Sequence, residues 1–207
     1  SGLAATLDSY AQAMGITTVT FAGTDAINDT VTIQNDVTNA ITVNLDAGDY
    51  DDTGGDDSNT VDASTYTGVL TVKTAASGSI DAAAAGDLVI TGGTGTSDTL
   101  NYHGATLDAT ELGGVTAIEN WVQLDDVTAS LTSANGNVAD GKSLTIDARS
   151  IINTSNTFTA DVSAEADGAV TIHGATGVDT ITATTSDLGD TISTYAGADT
   201  INISAAQ

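Results

Sequence analysis

The chain has no cysteine and no proline, and only three basic residues, Lys73, Lys142 and Arg149. Without cysteine there is no disulfide framework, no thiol nucleophile and no Cys-ligated zinc. Against the three cations stand 28 acidic side chains, which leaves a formal charge of −25. A field of that sign excludes nucleic acid as a partner. It admits an anionic membrane or polysaccharide only through bridging cations. No run approaches 18 consecutive apolar residues, so no membrane span is expected. The opening Ser1-Gly2-Leu3 lacks the charged-then-apolar pattern of a signal peptide, so an export signal is expected to have been removed or to lie elsewhere in a longer chain.

Catalytic signatures are equally scarce. There is no Gly-x-Ser-x-Gly elbow and no His-Glu-x-x-His helix. The two histidines, His103 and His173, lie far apart, and a zinc site would need further ligands. Extended β-helices can serve as polysaccharide lyases, but that chemistry uses Lys or Arg to neutralise an acidic sugar. A carboxylate pair acting on a glycoside has no diagnostic value where Asp is everywhere. The reading is therefore non-enzymatic.

What is present is a hydrophobic fraction of 40%, enough to build a core and too much for a disordered acidic tail. All but three of the acids (Glu111, Glu119 and Glu165) are Asp, which favours turns, whereas Glu favours helices. Three basic residues do not offset this charge, so cations from solution are expected to. About five to eight divalent ions at oxygen-rich sites would bring the net charge to roughly −15 to −9.

Period-two alternation predicts short strands over 30–33, 40–45, 69–72, 87–91, 143–146 and 169–172. Leu3 to Met14 has apolar residues at helical spacing, and Ala105 to Leu112 has room for about one helical turn. An apolar residue followed by Asp-Ala recurs at Leu45-Asp46-Ala47, Val61-Asp62-Ala63, Ile80-Asp81-Ala82, Leu107-Asp108-Ala109 and Ile146-Asp147-Ala148. It reads as one corner device, with Asp turning the chain and Ala allowing close stacking. The run from Val61 to Tyr102 also resembles that from Ile146 to Thr184, so related coils of unequal length are expected. The best subdivision is a β-rich part over 1–130 and a second part over 131–207, within one continuous architecture. Trp121, beside Val122 and Leu124, reads as core before a sugar platform. Lys73 and Lys142 show no composed triad for an isopeptide bond.

The most specific pattern lies towards the C-terminal end. Gly174-Ala175-Thr176-Gly177-Val178-Asp179-Thr180-Ile181 is followed by Leu188-Gly189-Asp190-Thr191-Ile192 and Gly197-Ala198-Asp199-Thr200-Ile201. An earlier copy runs from Gly92 to Leu100 and contains Asp98. These segments resemble the glycine- and aspartate-rich nonapeptides of RTX proteins, with a wider texture similar to calcium-dependent bacterial S-layer proteins and RTX adhesins. Asp190 and Asp199 keep the nine-residue period, Asp179 and Asp190 do not, and Ala175, Thr194 and Ala196 replace glycines. The resemblance implies a parallel β-solenoid, a degenerate β-roll, with calcium held by Asp98, Asp179, Asp190 and Asp199 beside Gly177, Gly189 and Gly197. The alternative is that these units are metal-free turns of an ordinary β-protein.

A second candidate is the acidic loop 46–62, with Asp49, Asp51, Asp52, Asp56 and Asp57 around Gly54-Gly55. It partly follows the EF-hand ligand spacing, but Thr60 stands where the bidentate Glu belongs. Calcium capture and a hydrated acidic tip are both open readings. The expected function is an extracellular, calcium-binding structural protein of the bacterial surface that associates with copies of itself. The alternatives are a calcium-rigidified adhesin module and the C-terminal secretion and folding module of a secreted hydrolase.

Overall fold

The computed structural model describes residues 2, 4–21, 29–45, 59–74, 88–104, 106–165, 168–184 and 189–204. The acidic-loop candidates Asp49, Asp51, Asp52, Asp56 and Asp57 lie outside the described residues, as do the Asp46 and Asp81 corners.

The chain winds as an all-β parallel solenoid. Its central sheet stacks eight strands in the order β17 (Thr191–Ser193), β15 (Ala169–His173), β13 (Ser143–Asp147), β11 (Asn120–Gln123), β8 (Thr99–Tyr102), β6 (Leu70–Lys73), β4 (Ile41–Asn44) and β2 (Thr18–Thr20). A second sheet, β1 (Ala4–Leu7), β3 (Thr30–Ile33), β5 (Asn59–Asp62), β7 (Leu88–Thr91) and β10 (Val115–Thr116), flanks its first part. A third sheet, β9 (Thr106–Leu107), β12 (Ala129–Thr132), β14 (Phe158–Asp161), β16 (Asp179–Thr184) and β18 (Thr200–Ser204), flanks the rest. The coils built on β7–β9 and β10–β12 carry a strand in all three sheets, and there the flanking face changes over.

Register explains the alternation. Facing outward on the central sheet, Thr18, Thr42, Thr71, Thr99, Asn120, Thr145, Thr171 and Thr191 stack in one row. One position on, Val19, Val43, Val72, Leu100, Trp121, Ile146, Ile172 and Ile192 stack inward. A one-residue slip would exchange the two rows, so the pairing is strongly specified. Trp121 is fully buried in the inner row, and one apolar core runs from Leu7 to Ala183.

The six strands expected from alternation are β3, β4, β6, β7, β13 and β15. The segment read as helical divides: Ala4–Leu7 pairs with β3, and only Ser9–Ala13 is helical, as α1. Asp8 caps α1, accepting from the N–H groups of Tyr10 and Ala11, which stops the helix from extending backward. The second helical candidate also divides: Thr106–Leu107 is strand β9, and only one turn follows, in which the Asp108 carbonyl accepts the Leu112 N–H ahead of a 3-10 turn over Leu112–Gly114. The Asp-Ala corners are Asx-turns: Asp62, Asp108 and Asp147 each accept from the N–H two residues on, at 3.0, 2.7 and 3.0 Å. Ala63 and Ala148 are buried beneath them.

Gly92 shows how tightly the coils stack. A Cβ there would lie 1.8 Å from the carbonyl oxygen of Ala117 in the next coil, and Ala117 itself sits at φ 54°. Gly113 has nothing within 4 Å of its missing Cβ. Gly92→Ala is expected to cost about 2–3 kcal/mol in urea unfolding by overpacking, and Gly113→Ala less than about 0.5 kcal/mol. Equal costs would show that coil contact at this corner is looser than described.

Candidate functional site

The acids of the RTX-like segments stand at strand entrances: Asp98, Asp190 and Asp199 directly precede β8, β17 and β18, and Asp179 is the first residue of β16. Counting back one from the paired Thr71 and Thr99, Asp98 stands over Leu70 on the inward-facing side, where other coils carry Ile41, Leu144 and Val170. Its Oδ1 accepts the Leu70 N–H at 2.8 Å, and its Oδ2 accepts the Gly93 N–H at 2.5 Å. The next coil repeats the device: Glu119 Oε2 accepts the N–H of Asp98 at 2.9 Å. Further along, Asp190 Oδ1 accepts from Val170 at 2.9 Å.

The third sheet does the same. Asp199 Oδ1 accepts the N–H of Asp179 at 3.0 Å, across 20 residues. Asp179 turns back on its own glycine-rich loop and accepts from the Ala175 N–H with both oxygens, at 3.2 and 3.0 Å. The structure thus brings Asp179 and Asp199 together in adjacent coils. Asp190 belongs to the central sheet and Asp199 to the third, so the nine-residue period spans half a coil.

The physical reason is an accounting one. A coil's first strand N–H precedes the start of the ladder, and a buried N–H without a partner is costly. A carboxylate one coil along can accept it, at the expense of placing acid in a stack otherwise apolar. Asp98 and Asp179 are fully buried. Burial holds the Asp98 carboxyl above its ordinary value despite the Leu70 and Gly93 N–H groups. Burial also raises Glu119, against the Asp98 N–H, while the charge of Asp98 adds to the rise and Lys142 opposes it. For Asp179, burial pushes the carboxyl up to about 6, against the Ala175 N–H and with the charge of Asp199.

The glycines allow loop-on-loop contact. A Cβ on Gly177 would lie 1.9 Å from the Asn156 carbonyl oxygen, and one on Gly197 would lie 2.1 Å from the Gly177 oxygen and 2.6 Å from Asp199 Oδ1. Gly189 and Gly197 have positive φ, at 77° and 141°. The resulting donor set, carbonyl and carboxylate oxygen, is the kind a hard cation takes. The Gly177 carbonyl and Asp199 Oδ1 both lie beside Gly197, whereas both Asp179 oxygens face the Ala175 N–H. Among the described residues no three Asp, Glu or His side chains converge as a metal cage.

Other polar groups serve the coil stack. His103 Nδ1 lies 2.8 Å from Asp125, which also accepts from the Gly104 N–H, and His173 Nδ1 lies 3.1 Å from the Tyr195 hydroxyl. Asp147 pairs with Arg149 at 2.6 Å. The sequence reading did not single out Glu119 as a site; its signal was its place directly before a β-strand, at the end of Gly113–Asn120.

Asp179 gives a pH signature. Its folded carboxyl is raised above the unfolded value, so in calcium-free solution it favours the fold below about pH 4 and loses that contribution as pH rises through about 6. The loss is up to about 3 kcal/mol. Asp179→Asn is expected to match the parent at pH 4 and gain on it steadily towards pH 7, in chemical unfolding with EGTA. A constant difference across that range would show that Asp179 titrates normally.

The chain matches no protein-family model, no curated protein and no solved structure.

Proposed function

We propose that this chain is a structural module of the bacterial cell exterior, a β-solenoid that calcium charges down and stiffens and that associates with further copies of itself. The observation that supports this reading most is the stacking of carboxylates on inward-facing positions, Asp98 beneath Glu119 and Asp179 beneath Asp199, in a chain of net charge −25. Neighbouring strands are about 4.8 Å apart. Two like charges at that spacing repel by roughly 3 kcal/mol at an effective dielectric of about 20. A divalent cation shared between coils turns that repulsion into attraction. It also lowers the carboxyl pKa values that burial has raised.

The role is mechanical and not catalytic. Calcium is abundant outside cells and scarce within, so such a module would tighten after export. The eight strands of the central sheet span about 35 Å along the solenoid axis at the usual strand spacing. Cell-surface polysaccharide is a further partner for this reading, bridged by calcium to the acidic surface.

One calcium site held at 100 times its dissociation constant adds about 2.7 kcal/mol, and for a chain of this size that raises Tm by roughly 5–10 °C. Millimolar calcium is therefore expected to raise the melting temperature, followed by circular dichroism, by at least that much over EGTA, with magnesium much weaker. Asp199→Asn should remove more of the gain than Asp8→Asn, whose carboxylate caps α1. A melting temperature indifferent to calcium would overturn the reading. Calcium stabilisation of a strict monomer at high concentration would instead favour an adhesin stalk.

A further inference from the structure

The second sheet ends at β10, and segment 133–142, between β12 and β13, closes its edge. The closing residue is the buried Asn137, whose Nδ2 donates to the carbonyls of Leu112 and Val115 at 2.6 and 2.7 Å. A reciprocal pair of hydrogen bonds holds Asn137 in place. Its N–H donates to the Ala134 carbonyl at 3.2 Å, and the Ala134 N–H donates back to Asn137 Oδ1 at 2.5 Å. Bridging those two bonds are Asn135 and Gly136, both exposed. They form the one Asn-Gly pair in the sequence.

We propose that Asn135-Gly136 is a self-modification site, at which the backbone converts the asparagine to isoaspartate with water as co-reactant. Gly136 sits at φ 95° with nothing within 4 Å of the place a Cβ would take, so its nitrogen is open to the neighbouring side chain. A β-turn uses the N–H of its fourth residue, here Asn137, and leaves the Gly136 N–H out of the turn bond. The Gly136 nitrogen loses its proton to hydroxide and attacks Cγ of Asn135. A C–N bond forms, the carboxamide nitrogen takes a proton from water and leaves as ammonia, and a succinimide ring closes. Water then opens the ring, returning a proton to the Gly136 nitrogen. Breaking the bond from that nitrogen to the Asn135 backbone carbonyl gives isoaspartate; breaking the bond to Cγ gives aspartate. One water is consumed and one ammonia released.

Asn137 is protected from the same reaction. Three hydrogen bonds hold its carboxamide, and the branched side chain of Val138 crowds the nitrogen that would attack. Isoaspartate at 135 puts one extra methylene into the backbone between Ala134 and Asn137. Both reciprocal bonds lose their spacing, and Asn137 is drawn off the β10 edge. The reaction is therefore a slow, one-way release of that edge, which an unpaired strand needs covered. It stands apart from the calcium and self-association readings above.

The test ages the full chain at mildly alkaline pH and maps its peptides by electron-transfer fragmentation, which separates isoaspartate from aspartate. Asn135 is expected to convert at least tenfold faster than Asn137, Asn153 or Asn156, with isoaspartate in excess and ammonia released in step. Asn135→Gln, which would have to close a larger ring, should stay intact. The urea midpoint of the parent should fall in proportion to conversion, while that of Asn135→Gln holds. Fresh Asn135→Asp, which adds the charge without the methylene, should unfold like the unaged parent. Conversion of Asn135 no faster than that of the other asparagines overturns the site. Full conversion with an unchanged urea midpoint overturns the release of the β10 edge. A fresh Asn135→Asp as unstable as the aged parent assigns the effect to charge and overturns the backbone account.

Discussion

The backbone N–H at the entrance of each strand governs much of this molecule. In a parallel solenoid the coils are held by one ladder per sheet, and the residue just ahead of a ladder has its N–H facing the neighbouring coil with no carbonyl opposite. At Leu70, Asp98, Val170 and Asp179 a carboxylate from the next coil accepts it. The acid stands where its neighbours in the stack are aliphatic, and at Asp98 that position is fully buried. The raised carboxyls of Asp98 and Glu119 are the electrostatic trace of that compromise, while Asp179, raised by the same kind of burial, accepts from Ala175 in its own loop.

The rest of the composition follows from the same geometry. Threonine dominates the outward row from Thr18 to Thr191 because a β-branched, hydrogen-bonding side chain suits a pleated surface half exposed to water. Aspartate also closes the corners, where Asp62, Asp108 and Asp147 fold their side chains onto the N–H two residues along. Glycine appears where one coil's carbonyl approaches the next coil's loop, as at Gly92 and Gly177. Few cations are needed inside such a body, since N–H groups do the local compensation. What they leave uncompensated is the net charge, and that is the part a divalent ion from solution can address.

Six of the strands, β3, β4, β6, β7, β13 and β15, were legible in the sequence through their period-two pattern, and the parallel stacking was implied by the resemblance of the Gly-x-Asp units to RTX repeats. The first strand was not, because Ala4 to Leu7 and the helical turn after it share one run of apolar residues. Only the Asp8 cap divides them. The Gly-x-Asp units were legible as places where coils meet, and the structure puts Asp98, Asp179, Asp190 and Asp199 at such meetings. Their hydrogen bonds to backbone N–H groups were hidden, since a motif gives the position of a carboxylate and not its partner one coil away. Glu119 escaped for the same reason: its partner, Asp98, lies 21 residues back.

The central claim is that stacked carboxylates carry unrelieved charge which calcium relieves. Site-resolved carboxyl NMR titrations of Asp98, Glu119 and Asp179, with EGTA and with saturating calcium, measure it directly. The account predicts raised values in EGTA, with Asp179 near 6, and a fall below the ordinary carboxylate range for Asp179 once calcium is present. Carboxyls that titrate normally in EGTA, or an Asp179 unmoved by calcium, would contradict it.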